Sequence, residues 1–260
     1  MMLPETKPIL FKTDLDVIEI IEVCDTHFGN ECFNYSKWNN LQQYILEKPN
    51  RFIIWNGDLM ENAVPGSKSD PLTQTLSPQE QQDMVTECFK KFKDRTLAIV
   101  DGNHESNRSI RLAGLYPLYT SACIAGISER YRSAYAVLDI SMGHGRQGFP
   151  KRKHKFIGYI CHRGKNMKQF ATTDMLEGFD FVVVAHDHEP YDHSRGKIVY
   201  DSRTKTLMHK DIEMVDNGSC MFYGGYAARG GSRVKSDKLY KIICYGDGRE
   251  KGIETLGFHV

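Results

Sequence analysis

Nowhere in its 260 residues does the chain hold a run of about 18 apolar residues, so no segment is long and apolar enough to suggest a membrane-spanning helix. The first 16 residues contain acids and two prolines and lack the basic and apolar regions of a secretory signal. Cysteines number seven, at Cys24, Cys32, Cys88, Cys123, Cys161, Cys220 and Cys244, an odd count without any CxxC spacing. Four lie within or beside apolar runs, as buried free thiols do, and a reducing cytoplasm is the expected compartment. Neither sign of charge prevails: a net charge of +1 gives no steering of the whole molecule toward nucleic acid. No internal repeat and no low-complexity tract interrupts the chain.

What is present is a 40% apolar composition, enough at this length for a large core without disulfides, and the expectation is one domain over residues 1–260. Five short apolar runs each end at a metal-ligating residue type. Residues 17–23 precede Asp25 and His27, 52–55 precede Asp58, 97–100 precede Asn103, 156–160 precede His162, and 181–184 precede His186 and His188. Runs this short and rich in β-branched residues indicate buried strands, because helices of similar burial need about 10 residues or more. One DxH, GD or HxH alone is most often a cap, a turn or a surface pair. Five strand ends that each present a ligand are a different matter.

Carboxylates suit Mg, Ca and Mn, imidazoles suit Zn, Fe, Mn and Ni, and a mixed set accepts several divalent metals. Asp58 can bridge two cations, having two oxygens. Two cations roughly 3.5 to 4 Å apart clamp a phosphoryl group and acidify a shared water for in-line attack on phosphorus. His104 follows Asn103 and is free to protonate a leaving alkoxide as a general acid. His144, His154, His193, His209 and His259 lack such a setting and are expected to be ordinary surface residues.

The motifs DTH, GD, GNHE, a single His after a strand, and AHDH together resemble the calcineurin-like metallophosphoesterase superfamily, whose usual last motif is GHxH; Ala185 stands where that glycine falls. The resemblance spans residues 17–190. The PQEQ segment at Pro78–Gln81 and the segment 217–227 are similar to small single-domain members encoded by phages and prophages. The resemblance implies that Asp25, His27 and His188 hold one metal with Asp58, and that Asn103, His162 and His186 hold the other with the same Asp58. It implies His104 as the catalytic histidine. Glu61 stands where protein-phosphatase relatives carry the Asp that orients that histidine, and a solvated loop carboxylate is the alternative reading. The cofactor expected is a pair of divalent ions, Mn foremost, with Fe, Zn, Ni or Mg as alternatives.

The resemblance also bears on substrate. In Ser/Thr protein phosphatases of the superfamily GD continues to DRG and an Arg precedes GNHE, whereas this chain has residues 59–63 (LMENA) and 100–102 (VDG). The missing arginines and the intact His27 favour a phosphodiesterase acting on nucleic acid or nucleotides, with a phosphomonoesterase as the alternative and a catalytically silent protein-binding scaffold as the competing class. Arg108 can touch a phosphate oxygen or be a helix-surface charge. Two basic clusters, residues 146–155 and the set Arg229, Arg233, Lys235 and Lys238, can track a phosphate backbone or simply be solvated.

Elsewhere, Ser77-Pro78-Gln79-Glu80 forms a capping box that opens a helix to about Lys93, with Met84, Val85, Cys88, Phe89 and Phe92 inward. Met167, Phe170, Ala171 and Met175 indicate a helix ended by Gly178. Segments 197–200 and 206–209 flank a turn, and 211–216, 238–245 and 252–259 are further strands. The fold expected is α/β: a two-sheet β-sandwich flanked by helices in four layers, α/β/β/α, which is also what the resemblance implies.

Overall fold

Twelve strands form in the computed structural model, which describes residues 7–143, 153–162, 178–202, 204–231, 233–246 and 252–260. In chain order they are β1 Ile9–Lys12, β2 Val17–Val23, β3 Arg51–Asn56, β4 Thr96–Val100, β5 Tyr131–Arg132, β6 Tyr135–Met142, β7 His154–His162, β8 Phe181–Ala185, β9 Tyr191–Asp201, β10 Thr206–Asp216, β11 Leu239–Tyr245 and β12 Gly252–Phe258. They build two six-stranded mixed sheets, ordered β1-β6-β7-β8-β10-β9 and β12-β11-β2-β3-β4-β5. In the second sheet β2, β3, β4 and β5 run parallel, and in the first β7, β8 and β10 do. Ligand-bearing loops gather at the carboxyl ends of such strands.

Between the sheets Ile18, Ile20, Phe52, Ile54, Leu138, Ile140, Phe156 and Phe181 form one core. The other face of β2 and β3 carries Ile21, Val23, Ile53 and Trp55, which pack against the helices outside. Strands buried on both faces show no polar alternation, which explains why β3 and β4 are continuous apolar runs in the sequence.

Two helices make most of that outer layer. In α1, Tyr35–Glu47, the Asn34 side chain caps the first turn by accepting from Lys37 N–H at 3.0 Å, while Trp38, Leu41 and Ile45 turn inward. In α2, Pro78–Lys91, Ser77 and Glu80 form the expected capping box, and Val85, Cys88, Phe89 and the capping Phe92 are buried, with Met84 partly so. A third helix, Pro117–Ala125, packs beside α2. The helix expected from Met167, Phe170, Ala171 and Met175 lies outside the described residues. Cys161, Val182, Val184, Ile212 and Met214 form a smaller cluster on the first sheet.

The expected strands 206–209 and 211–216 are one strand, β10, paired with β9 through eleven positions. Lys210 lies within it, opposite Lys197, and its ammonium reaches Asp180, just before β8, at 2.8 Å. Five of the seven cysteines are buried, Cys32 is half-buried, Cys123 is exposed, and none is in a disulfide among the described residues. Among the described residues no helix is long and apolar enough to cross a membrane.

Candidate metal centre

The loops that follow β2, β3 and β8 leave the sheets in unusual backbone conformations. Asp25, His27, Asp58, His186 and His188 all have positive φ, between 46° and 108°, and of the described non-glycine residues only Asn62 and Lys205 share that feature. Such conformations cost of order 1–3 kcal/mol each and cluster where function needs a side chain aimed in one direction. All five are expected ligands. Two glycines allow the central loops to meet: a Cβ on Gly57 would lie 2.3 Å from the Gly102 nitrogen, and one on Gly102 would lie 2.1 Å from Asp58 Oδ1. Only glycine brings Asp58 against the turn that carries Asn103 and His104.

The side chains converge in two groups, Asp25, His27 and His188 in one and Asp58, His162 and His186 in the other, linked by a third of His27, Asp58 and His104. His188 Nε2 lies 3.1 Å from Asp25 Oδ1 and 3.1 Å from His27 Nε2. His162 Nε2 lies 3.3 Å from Asp58 Oδ2 and 4.0 Å from Asp25 Oδ1. His162 Nδ1–H donates to the Asn56 carbonyl at 2.7 Å, which leaves Nε2 as the nitrogen with a lone pair toward the site. Asp25 Oδ1, Asn103 Oδ1, His162 Nε2 and His186 Nδ1 are buried and make no hydrogen bond. Orphaned polar atoms of this kind are rare in a folded interior, and a cation satisfies all four. The residues present therefore fit divalent metal ions.

Electrostatics agree with that fit. Burial alone would raise the carboxyls of Asp25 and Asp58, yet His188 and His162 around the first, and His162 and His104 around the second, hold both well below the usual range. Burial alone would lower His27 and His162; Asp25 and Glu61 instead lift His27 to about 10, and Asp58 and Asp25 lift His162 to about 10. Two buried carboxylates thus draw positive charge into the site, and metal cations would displace the imidazole protons that otherwise supply it.

Around the ligands lies a layer whose roles the sequence motifs do not reveal, although Glu105 is itself the last residue of GNHE. Glu105, fully buried, accepts the backbone N–H groups of Asp58 at 2.9 Å, Met60 at 3.1 Å and Gly102 at 2.9 Å, and so clamps the two central loops. Glu22 accepts from Asn56 Nδ2 at 2.7 Å and from Asn217 N–H at 2.9 Å, which ties β2 to β3 and to the end of β10.

His104 and Glu61 are both in the site, but not as a carboxylate and imidazole pair. The Glu61 carboxylate lies 3.2 Å from His27 Nδ1 and accepts from Asn30 at 2.9 Å, and it is buried rather than solvated. Only its backbone carbonyl reaches His104, 2.8 Å from Nδ1. Glu is one methylene longer than Asp, and here that reach takes the carboxylate to the neighbouring imidazole. Arg108 is not a helix-surface charge: a π-helical stretch, His104–Ile110, turns it inward, where Nη1 donates to the Glu61 carbonyl and stands 3.0 Å from His104 Nδ1. Among the remaining histidines, His209 and His259 are exposed, His154 and His193 are half-buried in β7 and β9, and His144 lies outside the described residues.

A family profile, that of calcineurin-like phosphoesterases, matches residues 18–190, which hold every expected ligand. The chain belongs to that family. Among solved structures, vacuolar protein sorting 29 from Cryptosporidium parvum is 11% identical, with 94% of this chain and 99% of that one covered at a TM-score of 0.40. A predicted phosphoesterase from Streptococcus pneumoniae TIGR4 is 12% identical, with 93% and 90% covered at a TM-score of 0.36. Likenesses this distant say nothing of activity. No curated protein matches the sequence.

Proposed function

We propose that this calcineurin-like phosphoesterase is a dinuclear metal-dependent phosphodiesterase acting on nucleic acid or nucleotides, with the whole chain working as one domain. The observation that carries the reading is the set of four orphaned ligand atoms on Asp25, Asn103, His162 and His186, in a site whose backbone is held at positive φ. Asp25, His27 and His188 would hold one ion, Asn103, His162 and His186 the other, and Asp58 both. Mn(II) is the foremost candidate because the donors mix imidazole, carboxylate and amide oxygen. Bound there, divalent cations supply Lewis acidity and a water of lowered pKa.

The chain's own groups do the rest. Glu61 holds the His27 Nδ1 proton, so that Nε2 faces Asp25. Asp58 Oδ1 accepts the His104 backbone N–H at 2.7 Å, which fixes the imidazole beside the bridging carboxylate, with Nε2 3.7 Å from Asp58 Oδ2. Burial, then His27, pushes the His104 imidazole down to about 3, so it stands neutral. Nδ1 faces the Glu61 carbonyl at 2.8 Å and the Met60 carbonyl at 3.2 Å, so the Nδ1 proton is held there and Nε2 is left toward the site. To protonate a leaving alkoxide the imidazole would first take up a second proton at Nε2, which the negative charge of a bound phosphoester favours.

Diester preference is supported by what stands at the phosphatase arginine positions: Asn62, directly after Glu61, and Asp101, directly before GNHE, are both buried and neither is a cation. Kinship with small phage-encoded members belongs to the same proposal and rests on the segments 78–81 and 217–227. The test is turnover of bis-p-nitrophenyl phosphate against p-nitrophenyl phosphate, in EDTA and after return of Mn(II). Metal-dependent turnover that favours the diester is expected, and a preference for the monoester would make the protein a phosphatase.

A further inference from the structure

The glycine-rich strap formed by residues 221–231 and 233–238 crosses between the two loops that supply ligands to one half of the metal centre. At its start Phe222 N–H donates to the Cys32 carbonyl at 2.8 Å and Met221 bridges to Phe33, in the loop that follows His27. At its far end Arg233 pairs with Glu189 and Lys235 donates to the Asp187 carbonyl, on either side of His188. Lys37 anchors the strap's flanks by donating to the Ser219 carbonyl at 3.0 Å and to Asp237 at 3.4 Å. Gly224 lets it lie flat, since a Cβ there would come within 2.9 Å of Cys32 Sγ.

Its outer side has an unusual composition. Four cations, Arg229, Arg233, Lys235 and Lys238, face a single acid, Asp237, within this stretch. Phe222 and Tyr223 are 59% and 48% exposed, although large aromatic rings ordinarily turn inward. The Arg229 and Arg233 side chains are 69% and 72% exposed, and exposed pairs such as theirs with Glu31 and Glu189 are weak enough to exchange for phosphate. Aromatic faces beside mobile cations are how proteins hold unpaired bases and the backbone that joins them.

We infer that this strap is a binding wall for single-stranded nucleic acid: Phe222 and Tyr223 stack on bases, while Arg229, Arg233 and Lys235 contact phosphates of the strand that runs to the metal centre. The inference rests on the phosphodiesterase reading and names the substrate class that reading leaves open. A duplex keeps its bases stacked on one another and offers the two rings nothing, so the rings set the preference for single strands.

Fluorescence anisotropy of a labelled oligothymidylate tests it, with the full chain in EDTA so that the strand is not cut. Replacing Arg229, Arg233 and Lys235 together with Ala should reduce the slope of log affinity against log salt by about 2, at roughly 0.7 per phosphate contact on a single strand. Phe222→Ala with Tyr223→Ala should weaken binding roughly 5- to 150-fold per base lost, with the slope kept. Phe222→Trp with Tyr223→Trp should retain affinity, which separates stacking from a folding defect. Unchanged affinity in both alanine variants, or tighter binding of a duplex, would overturn the inference. Turnover of bis-p-nitrophenyl phosphate with Mn(II), measured in parallel, separates the two claims: hydrolysis without strand binding removes the strap's role alone, and strand binding without hydrolysis removes the diesterase reading alone.

Discussion

The Glu105 carboxylate accepts the Asp58 backbone N–H at 2.9 Å, so one buried side chain from the turn after β4 sets the position of the central carboxylate after β3. Because the same carboxylate also serves Met60 and Gly102, its removal leaves three buried donors without partners. Each orphaned donor costs about 1–3 kcal/mol. Glu105→Ala should therefore lose at least about 3 kcal/mol of stability. Urea unfolding checks this, and a change under 1 kcal/mol would mean that water or a backbone shift replaces the clamp.

Glu105 also shows where sequence reading stops. The five strand ends were legible because a ligand type after a short apolar run is a local pattern, and the capping box of α2 was legible for the same reason. Two of the three partners of Glu105 are backbone N–H groups 45 and 47 residues away, which leave no trace in residue type. The setting of Arg108, which the sequence left open between a phosphate contact and a surface charge, and the partner of Glu61 are hidden for a related cause: a π-helical stretch shifts the face on which a side chain emerges, and one methylene decides which imidazole Glu61 meets. Strand β6 and helix α1 were within reach of pattern, since β6 alternates buried and half-buried positions and α1 repeats Trp38, Leu41 and Ile45, but β1, four residues long, carries too little signal. Of the basic cluster at 146–155, residues 153–155 are described, and Lys153 and Lys155 pair with Asp14 and Asp139.

A proton-donor role for His104 makes its importance depend on the leaving group. General acid catalysis contributes about 10²- to 10⁴-fold. His104→Asn should cost a factor in that range on an oligonucleotide, whose leaving alkoxide is basic, and far less on a nitrophenyl diester. Equal losses on both, with metal content unchanged, would assign His104 to transition-state stabilisation.

Acid stability should depend on Glu19, far from the metals. Burial alone would raise its pKa, but Lys241 at 2.6 Å and Arg51 at 3.0 Å outweigh it and hold the carboxyl below its usual value. A depressed folded-state pKa contributes stability that is present above the ordinary carboxylate range and is lost as pH falls through the depressed value. Glu19→Gln should thus lower the melting temperature at neutral pH and make it less sensitive to pH across the acid range. An unchanged acid-side slope in thermal melts would mean the cluster contributes nothing to folding.

The central claim is that two metal ions share Asp58, and the most direct measurement is diesterase activity of the metal-stripped chain against bound Mn(II) per chain. Activity should rise to its plateau only as the second ion binds, and Asp58→Asn should lose both ions together. Full activity at one ion per chain, or in EDTA, would contradict the account.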